Sequence, residues 1–390
     1  MANFPTWTST STGSDVAATF SSRIQGKTVL IVGVSPNSLG EATAAAYAAH
    51  SPALLILASR SLSNAKAVAE SISTHCKVEC VPVDLSDYAS VRDAASQIRS
   101  LTSHIDILIN NAAVVKDEHT LSPTAQHELQ LATTFLGPFL LTNLIMPLLL
   151  NSAQTNASES GIPTRIVNVT SAGHVLSPVR FSDPHFHRPL SDLPESEQPA
   201  AHLPASLLPG EGKTYAPFLA YGQSKTANIL FSIALNKRLL EKGTRIASLA
   251  VHPGSVQTNL SRSLGPESRA MVEGTTKATG WMDMGQGSVG MLVAGLDPRL
   301  VEEVEAGKPK LSDGGKGVYL NGWRVHTEGL AKHAADEDAA ERLWALAGRE
   351  TGVKCDGLGS VVDIIDSQGQ NEEVVGKESG LVSTVKEIKI

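Results

Sequence analysis

Residues 28–41 read Thr28-Val29-Leu30-Ile31-Val32-Gly33-Val34-Ser35-Pro36-Asn37-Ser38-Leu39-Gly40-Glu41, and they decide the fold. A continuous apolar run ends at Gly33, a polar turn follows, and an Ala-rich stretch from Glu41 to Ala49 continues with helical character. An uninterrupted apolar strand suits a sheet covered on both faces, and strands separated by helices imply parallel pairing. Outward from this stretch the alternation continues. Strand-like runs at Leu54–Ala58, Val78–Val83, Ile105–Ile109, Arg165–Val169 and Arg245–Val251 are spaced by helix-like segments. Those segments are Leu62–Ile72, Ser90–Ser100, Ala125–Leu150 with a bend near Pro138, and Tyr221–Lys242. The predicted fold class is α/β: a doubly wound, Rossmann-type parallel sheet flanked by helices.

The chain has 390 residues, 42% hydrophobic and 18% charged, enough for a large core. The reading gives one domain over residues 23–355, after an N-terminal segment, 1–22, and before a tail, 356–390, read as disordered. Asn151 to Thr164 reads as a polar surface loop. Residues 174–219, rich in Pro and His, read as an inserted lid or substrate loop, and residues 261–355 as a substrate-side region. A net charge of −7 and 4% aromatics argue against nucleic acid or an anionic membrane as partner. Cys76, Cys80 and Cys355 form neither a disulfide framework nor a metal set and read as reduced thiols. Residues 1–22 have no signal-peptide core, and the apolar stretch Phe135–Leu150 is too short and interrupted to span a bilayer. The expectation is a cytoplasmic protein without a stable membrane anchor.

A glycine-containing turn between strand and helix lets backbone amides meet a phosphate where the helix dipole also favours negative charge. Gly33, Ser35, Leu39 and Gly40 are the candidates for that contact. After the second strand comes Ser59-Arg60. An acid there would bind a ribose 2′-hydroxyl, whereas an arginine accommodates a 2′-phosphate, so the expected cofactor is NADP(H) rather than NAD(H). The bland alternative is a solvated surface arginine.

Tyr221-Gly222-Gln223-Ser224-Lys225 places a phenol and an ammonium four residues apart on one helix face. A nearby ammonium favours the phenolate and makes tyrosine a usable acid/base. Ser171, after the fifth strand, can hydrogen-bond the reacting oxygen. In order along the chain stand Gly33 to Gly40, Val83-Asp84-Leu85, Asn110-Asn111-Ala112-Ala113, Val167-Asn168-Val169-Thr170-Ser171, Ala220 to Asn228, and His252-Pro253-Gly254 with Thr258. This series resembles the short-chain dehydrogenase/reductase superfamily. Phe135-Leu136-Gly137-Pro138-Phe139 and the His-Pro-Gly turn are similar to its retinol-dehydrogenase and WW-domain-oxidoreductase branch.

The resemblance implies Tyr221 as general acid/base, Lys225 as the group that lowers its pKa and binds the nicotinamide ribose, and Ser171 as the residue that orients substrate oxygen. It implies Asp84 at the adenine edge, Asn111 and Ala112 along the adenosine, and Val256 and Thr258 at the carboxamide and phosphates. Three residues depart from the family pattern. Ser38 replaces the middle glycine of a turn that is one residue longer. Ala113 replaces a glycine. Thr134 stands where the family has an asparagine that holds a water linking the lysine to solvent.

The implied activity is interconversion of an alcohol and a carbonyl on a small molecule. The alternatives are a cofactor-binding protein without turnover, or proton transfer without redox chemistry, such as isomerisation or dehydration. His119, His127, His185 and His187 lie near acidic residues without a helix-spaced ligand pattern, so no metal is expected. Surplus apolar residues on the helices around Phe135–Leu150 and Tyr221–Leu240 suggest a homodimer.

Overall fold

A computed structural model of the chain describes residues 6–72, 76–159, 163–200, 202–300, 319–325, 329–353, 364–365 and 371–372. The strands are β1 (Thr28–Val32), β2 (Leu54–Ser59), β3 (Val78–Pro82), β4 (Ile107–Asn110), β5 (Thr164–Val169), β6 (Ile246–His252), β7 (Tyr319–Asn321) and β8 (Arg324–Val325). They form one sheet in the order β3-β2-β1-β4-β5-β6-β7-β8, parallel except for the last pair. The order reverses between β1 and β4, and in such sheets ligands bind outside the carboxyl ends of the strands at that reversal. Gly33 and Asn111 follow these two strands.

All five residues of β1 are buried, as the opening stretch requires. Leu30 and Val32 enter one core, with α4 (Tyr88–Leu101), α6 (Gly137–Leu144), α8 (Pro217–Glu241) and α11 (Glu337–Thr351). Val29 and Ile31 enter the other, with α1 (Gly13–Thr19), α2 (Leu39–Ala48), α3 (Leu62–Ile72) and α10 (Met284–Leu296). The helix α1, for which no element was expected, contributes Val16 and Ala17 to that second core.

Two expectations need correction. The stretch Asn151 to Glu159 is not a loop but the end of α7 (Met146–Glu159), which follows α6 across a 58° bend at residue 145. Its polar residues serve a buried acid: Ser152 Oγ and Asn156 Nδ2 each donate to Asp106 Oδ1 at 2.8 Å. The bend is not at Pro138, which lies within the continuous helical run Leu129–Leu144, directly after a π-turn that already interrupts the regular hydrogen-bond ladder. The preceding residues, α5 (Leu129–Leu131) and a π-turn over Ala132–Leu136, enter α6 without such a break.

The insertion 174–219 carries short 3₁₀ turns rather than long helices. It is anchored by polar groups. Gln223 of α8 accepts the Arg180 amide at 2.9 Å and donates to the Pro184 carbonyl at 2.9 Å, while Arg180 pairs with Asp183 in the interior. Among the described residues no single helix is long and apolar enough to cross a membrane, although the bent pair Leu129–Leu144 and Met146–Asn156 passes by composition. Part of the apolar surface on α6 and α8 is covered by α11, whose Trp344 stacks edge-on against Phe139 with centroids 5.1 Å apart. Apart from the short paired strands Ile364–Ile365 and Asn371–Glu372, the tail lies outside the described residues, as does Cys355.

Candidate active site

Pro217 starts α8, so Tyr221 falls in its second turn and Lys225 in its third, not at the helix start. Lys225 is 2% exposed. Its Nζ donates to the Val169 carbonyl at 2.9 Å and lies 5.5 Å from the Tyr221 ring centroid. Ser171 follows β5 and caps a 3₁₀ turn, Ala172–Leu176, by accepting the Gly173 amide at 3.1 Å. Burial pushes the Tyr221 phenol above its ordinary pKa, and hydrogen bonding from the Ser171 hydroxyl pulls it back. Burial drives Lys225 down to about 7. The three residues expected from the sequence therefore converge.

Two neighbours complete the arrangement that sequence reasoning had left without roles. A Cβ on Gly173 would stand 3.1 Å from Cδ1 and Cε1 of Tyr221, so any larger residue would press that ring aside by a few tenths of an ångström. Asn228, one turn after Lys225, donates to the same Val169 carbonyl at 3.0 Å. Thr134 lies in the π-turn with its hydroxyl buried and without a hydrogen-bond partner.

The glycine turn assembles as a phosphate site would. Gly33 has φ 95°, and a Cβ there would come 2.5 Å from Ala112 Cα. Asn111 Nδ2 donates to the Gly33 carbonyl at 2.7 Å and packs beside Gly40. The longer turn is closed by its own residues. Asn37 takes the left-handed conformation, and Ser38 caps α2 by accepting the Glu41 amide at 3.2 Å while donating to the Ser35 carbonyl at 2.6 Å. The amide of Ser35 is directed to Ser38 Oγ at 3.3 Å. The amides of Leu39 and Gly40 have no acceptor among the described residues, leaving two donors at the helix N-terminus. The donor set fits a pyrophosphate.

Leu39 and Val256 meet over Gly287 of α10, whose absent side chain makes room for both. Val256 bridges to Met282, and Thr258 caps the next turn by accepting the Leu260 amide at 3.2 Å. Asp84, after β3, is held by the Ser86 amide at 2.9 Å and hydroxyl at 2.6 Å. Arg60 is exposed just beyond β2, with no ion-pair partner among the described residues. A 2′-phosphate would meet an unengaged guanidinium there.

A second cluster was not foreseen. His127, His185 and Glu350 of α11 bring ligand atoms within 4.8 Å of one another. His127 Nε2 lies 2.6 Å and His185 Nε2 3.3 Å from Glu350 Oε2. Their geometry is that of hydrogen bonding rather than chelation. The rings are stacked 5° from parallel, so their lone pairs do not converge on one point. The Glu128 amide donates to His185 Nδ1 at 3.1 Å, which keeps the proton on Nε2, where a metal would need a lone pair. The cluster ties the insertion to α11. No sequence signal announces it, because Glu350 is 165 residues from His185.

Comparison with known proteins places these features in context. The family model for short chain dehydrogenases matches residues 27–181. The chain is 35% identical over 248 residues to an oxidoreductase, fscI, of Fusarium equiseti, covering 63% of this chain and 93% of that protein. It is 30% identical over 337 residues to retinol dehydrogenase 13 of Homo sapiens, covering 85% and 86% of the two chains. Among solved structures, an uncharacterized protein from Mycobacterium Paratuberculosis aligns with a TM-score of 0.57 at 26% identity, over 84% of this chain and 94% of that one.

Proposed function

This chain belongs to the short-chain dehydrogenase/reductase superfamily, in its retinol-dehydrogenase-like branch, and is an oxidoreductase dependent on a nicotinamide cofactor; on that premise we propose that it uses NADP(H) to interconvert an alcohol and a carbonyl. The observation that carries the reading is the convergence of Ser171, Tyr221 and Lys225 at the carboxyl end of β5. The nicotinamide, when bound, supplies or accepts the hydride. Leu39 and Gly40 amides would hold its pyrophosphate, Arg60 its 2′-phosphate, Asp84, Asn111 and Ala112 its adenosine, and Val256 and Thr258 the nicotinamide half.

The protein's own part is to bind the reacting oxygen and move one proton. Ser171 donates a hydrogen bond to the substrate oxygen. In reduction Tyr221 Oη gives its proton to the developing alkoxide, and in oxidation it takes the alcohol proton. The Lys225 ammonium stabilises the phenolate left behind, an effect magnified by burial.

The retinol-dehydrogenase relatives make a hydrophobic carbonyl the first substrate class to try. The test follows nicotinamide absorbance with NADPH and a panel of benzaldehyde, decanal, cyclohexanone and retinaldehyde. Turnover of at least one supports the reading. NADPH binding with no turnover on the panel or on the corresponding alcohols would favour a binding protein instead.

A further inference from the structure

His174 lies three residues beyond Ser171, is fully buried, and has both ring nitrogens engaged. Its Nδ1 stands 2.7 Å from the Ser171 carbonyl oxygen. A carbonyl only accepts, so Nδ1 carries the proton. Its Nε2 accepts the Ala331 amide at 3.3 Å, which completes the assignment of one neutral tautomer. Burial holds the imidazole below its ordinary pKa, against the opposing pull of the Ser171 and Gly329 carbonyls.

The backbone of His174 is equally occupied. Its amide donates to the Ser171 carbonyl at 3.1 Å, so that one oxygen accepts two bonds from a single residue. Its own carbonyl accepts Thr226 Oγ1 at 3.0 Å and His333 Nε2 at 2.9 Å. Thr226 adjoins Lys225 on α8. Between Ser171 and His174 lies Gly173, whose amide binds Ser171 Oγ and whose Cα underlies the Tyr221 ring. The imidazole packs on Tyr319 of β7, centroids 5.2 Å apart. One residue thus joins the serine turn, the Tyr/Lys helix, and residues 331–333 beyond the sheet edge.

We propose that His174 is a positioning residue for the reaction: its Nδ1–H bond to the Ser171 carbonyl holds the turn that presents the serine hydroxyl and seats the Tyr221 ring. The proposal rests on the oxidoreductase reading above. It predicts a preference by atom, not by size. His174→Asn can place an amide donor near the position of Nδ1. His174→Gln reaches toward Nε2 and leaves the Ser171 carbonyl without its side-chain donor. His174→Phe keeps the packing on Tyr319 and loses both bonds.

The three variants are compared with wild type for kcat, KM and NADPH affinity, using whichever panel carbonyl the wild type reduces best. Misplacing a reacting group by about 1 Å costs up to about 100-fold, so kcat falls by roughly 10–100-fold in the Gln and Phe variants. KM and NADPH affinity stay within about twofold, and Asn recovers most of the rate. If Phe does not fold, the Asn and Gln pair still decides. Wild-type activity in His174→Gln, or equal losses in Asn and Gln, would overturn the proposal. Nitrogen-15 spectra of the wild-type imidazoles give a readout independent of turnover. The Nδ1–H tautomer is expected at His174, and an Nε2–H tautomer would contradict the clamp. If wild type reduces no carbonyl and oxidises no alcohol, the oxidoreductase reading falls, and the tautomer still decides the clamp.

Discussion

Lys225 Nζ lies 5.5 Å from the centroid of the Tyr221 ring, one helical turn away, and its hydrogen bond runs to the Val169 carbonyl at 2.9 Å rather than to a carboxylate. An ammonium buried without a carboxylate partner is costly, and burial lowers its pKa to about 7. The sign of the consequence is definite. Between about 7 and the ordinary lysine value the unfolded chain binds a proton that the folded chain does not, so stability from this group rises with pH across that window. Below about 7 the penalty is at its full size. Lys225→Met in the cofactor-free protein is therefore expected to be more stable than wild type at neutral pH, with the gap closing as pH approaches 10. Thermal unfolding of both proteins across that range checks it. A gap that does not change with pH would remove the buried charge as its cause.

Arg60 is expected to select the cofactor. A charge-assisted bond from a guanidinium to phosphate contributes about 1.5–3 kcal/mol, so Arg60→Ala should weaken NADPH binding by roughly 10–100-fold. NADH affinity should stay nearly unchanged. Fluorescence titrations of both proteins with both cofactors make the comparison. Equal wild-type affinities for NADPH and NADH would end the assignment.

Trp344 of α11 packs between α6 and α8, on Phe139 and Phe231. Arg238 lies 4.2 Å over its ring and pairs with Glu341 at 2.8 Å. Trp344→Ala should destabilise the chain by about 3–5 kcal/mol, the usual loss for a buried aromatic. Urea unfolding measures it. A change within about 0.5 kcal/mol would show that α11 is not a core element.

The central strands β1, β2, β4, β5 and β6 were legible because each is a largely apolar run buried on both faces, whereas the short edge strands β7 and β8 carry no such pattern and were not expected; Leu62–Ile72 matches the observed helix at both ends. The convergence of Ser171, Tyr221 and Lys225 was legible because a four-residue spacing on a helix and a position after a strand fix direction. Asn151–Glu159 was not legible as helix, since its polar residues look solvated until Asp106, far away in sequence, is seen to bind them. Glu350 was hidden for the same reason, since His127 and His185 reach it from far back in the sequence, and His174 was hidden because its contacts beyond Ser171 come from β7, α8 and residues 331–333.

Thr134 tests how far family expectations carry over. Its buried hydroxyl has no partner, so Thr134→Val should leave stability unchanged or raise it by up to about 1 kcal/mol. The pH profile of turnover should not move, because among the described residues no proton-bearing group lies within hydrogen-bond reach of this hydroxyl. A lowered rate with a displaced profile would instead give Thr134 the relay role that an asparagine has elsewhere in the superfamily.

The most direct test of the central claim is Tyr221→Phe, which removes one oxygen from the site and leaves the ring on Gly173. Turnover is expected to fall on the order of 10²–10⁴-fold, the contribution of a positioned acid, while NADPH affinity stays within about twofold of wild type. Turnover at the wild-type rate in this variant would contradict the account.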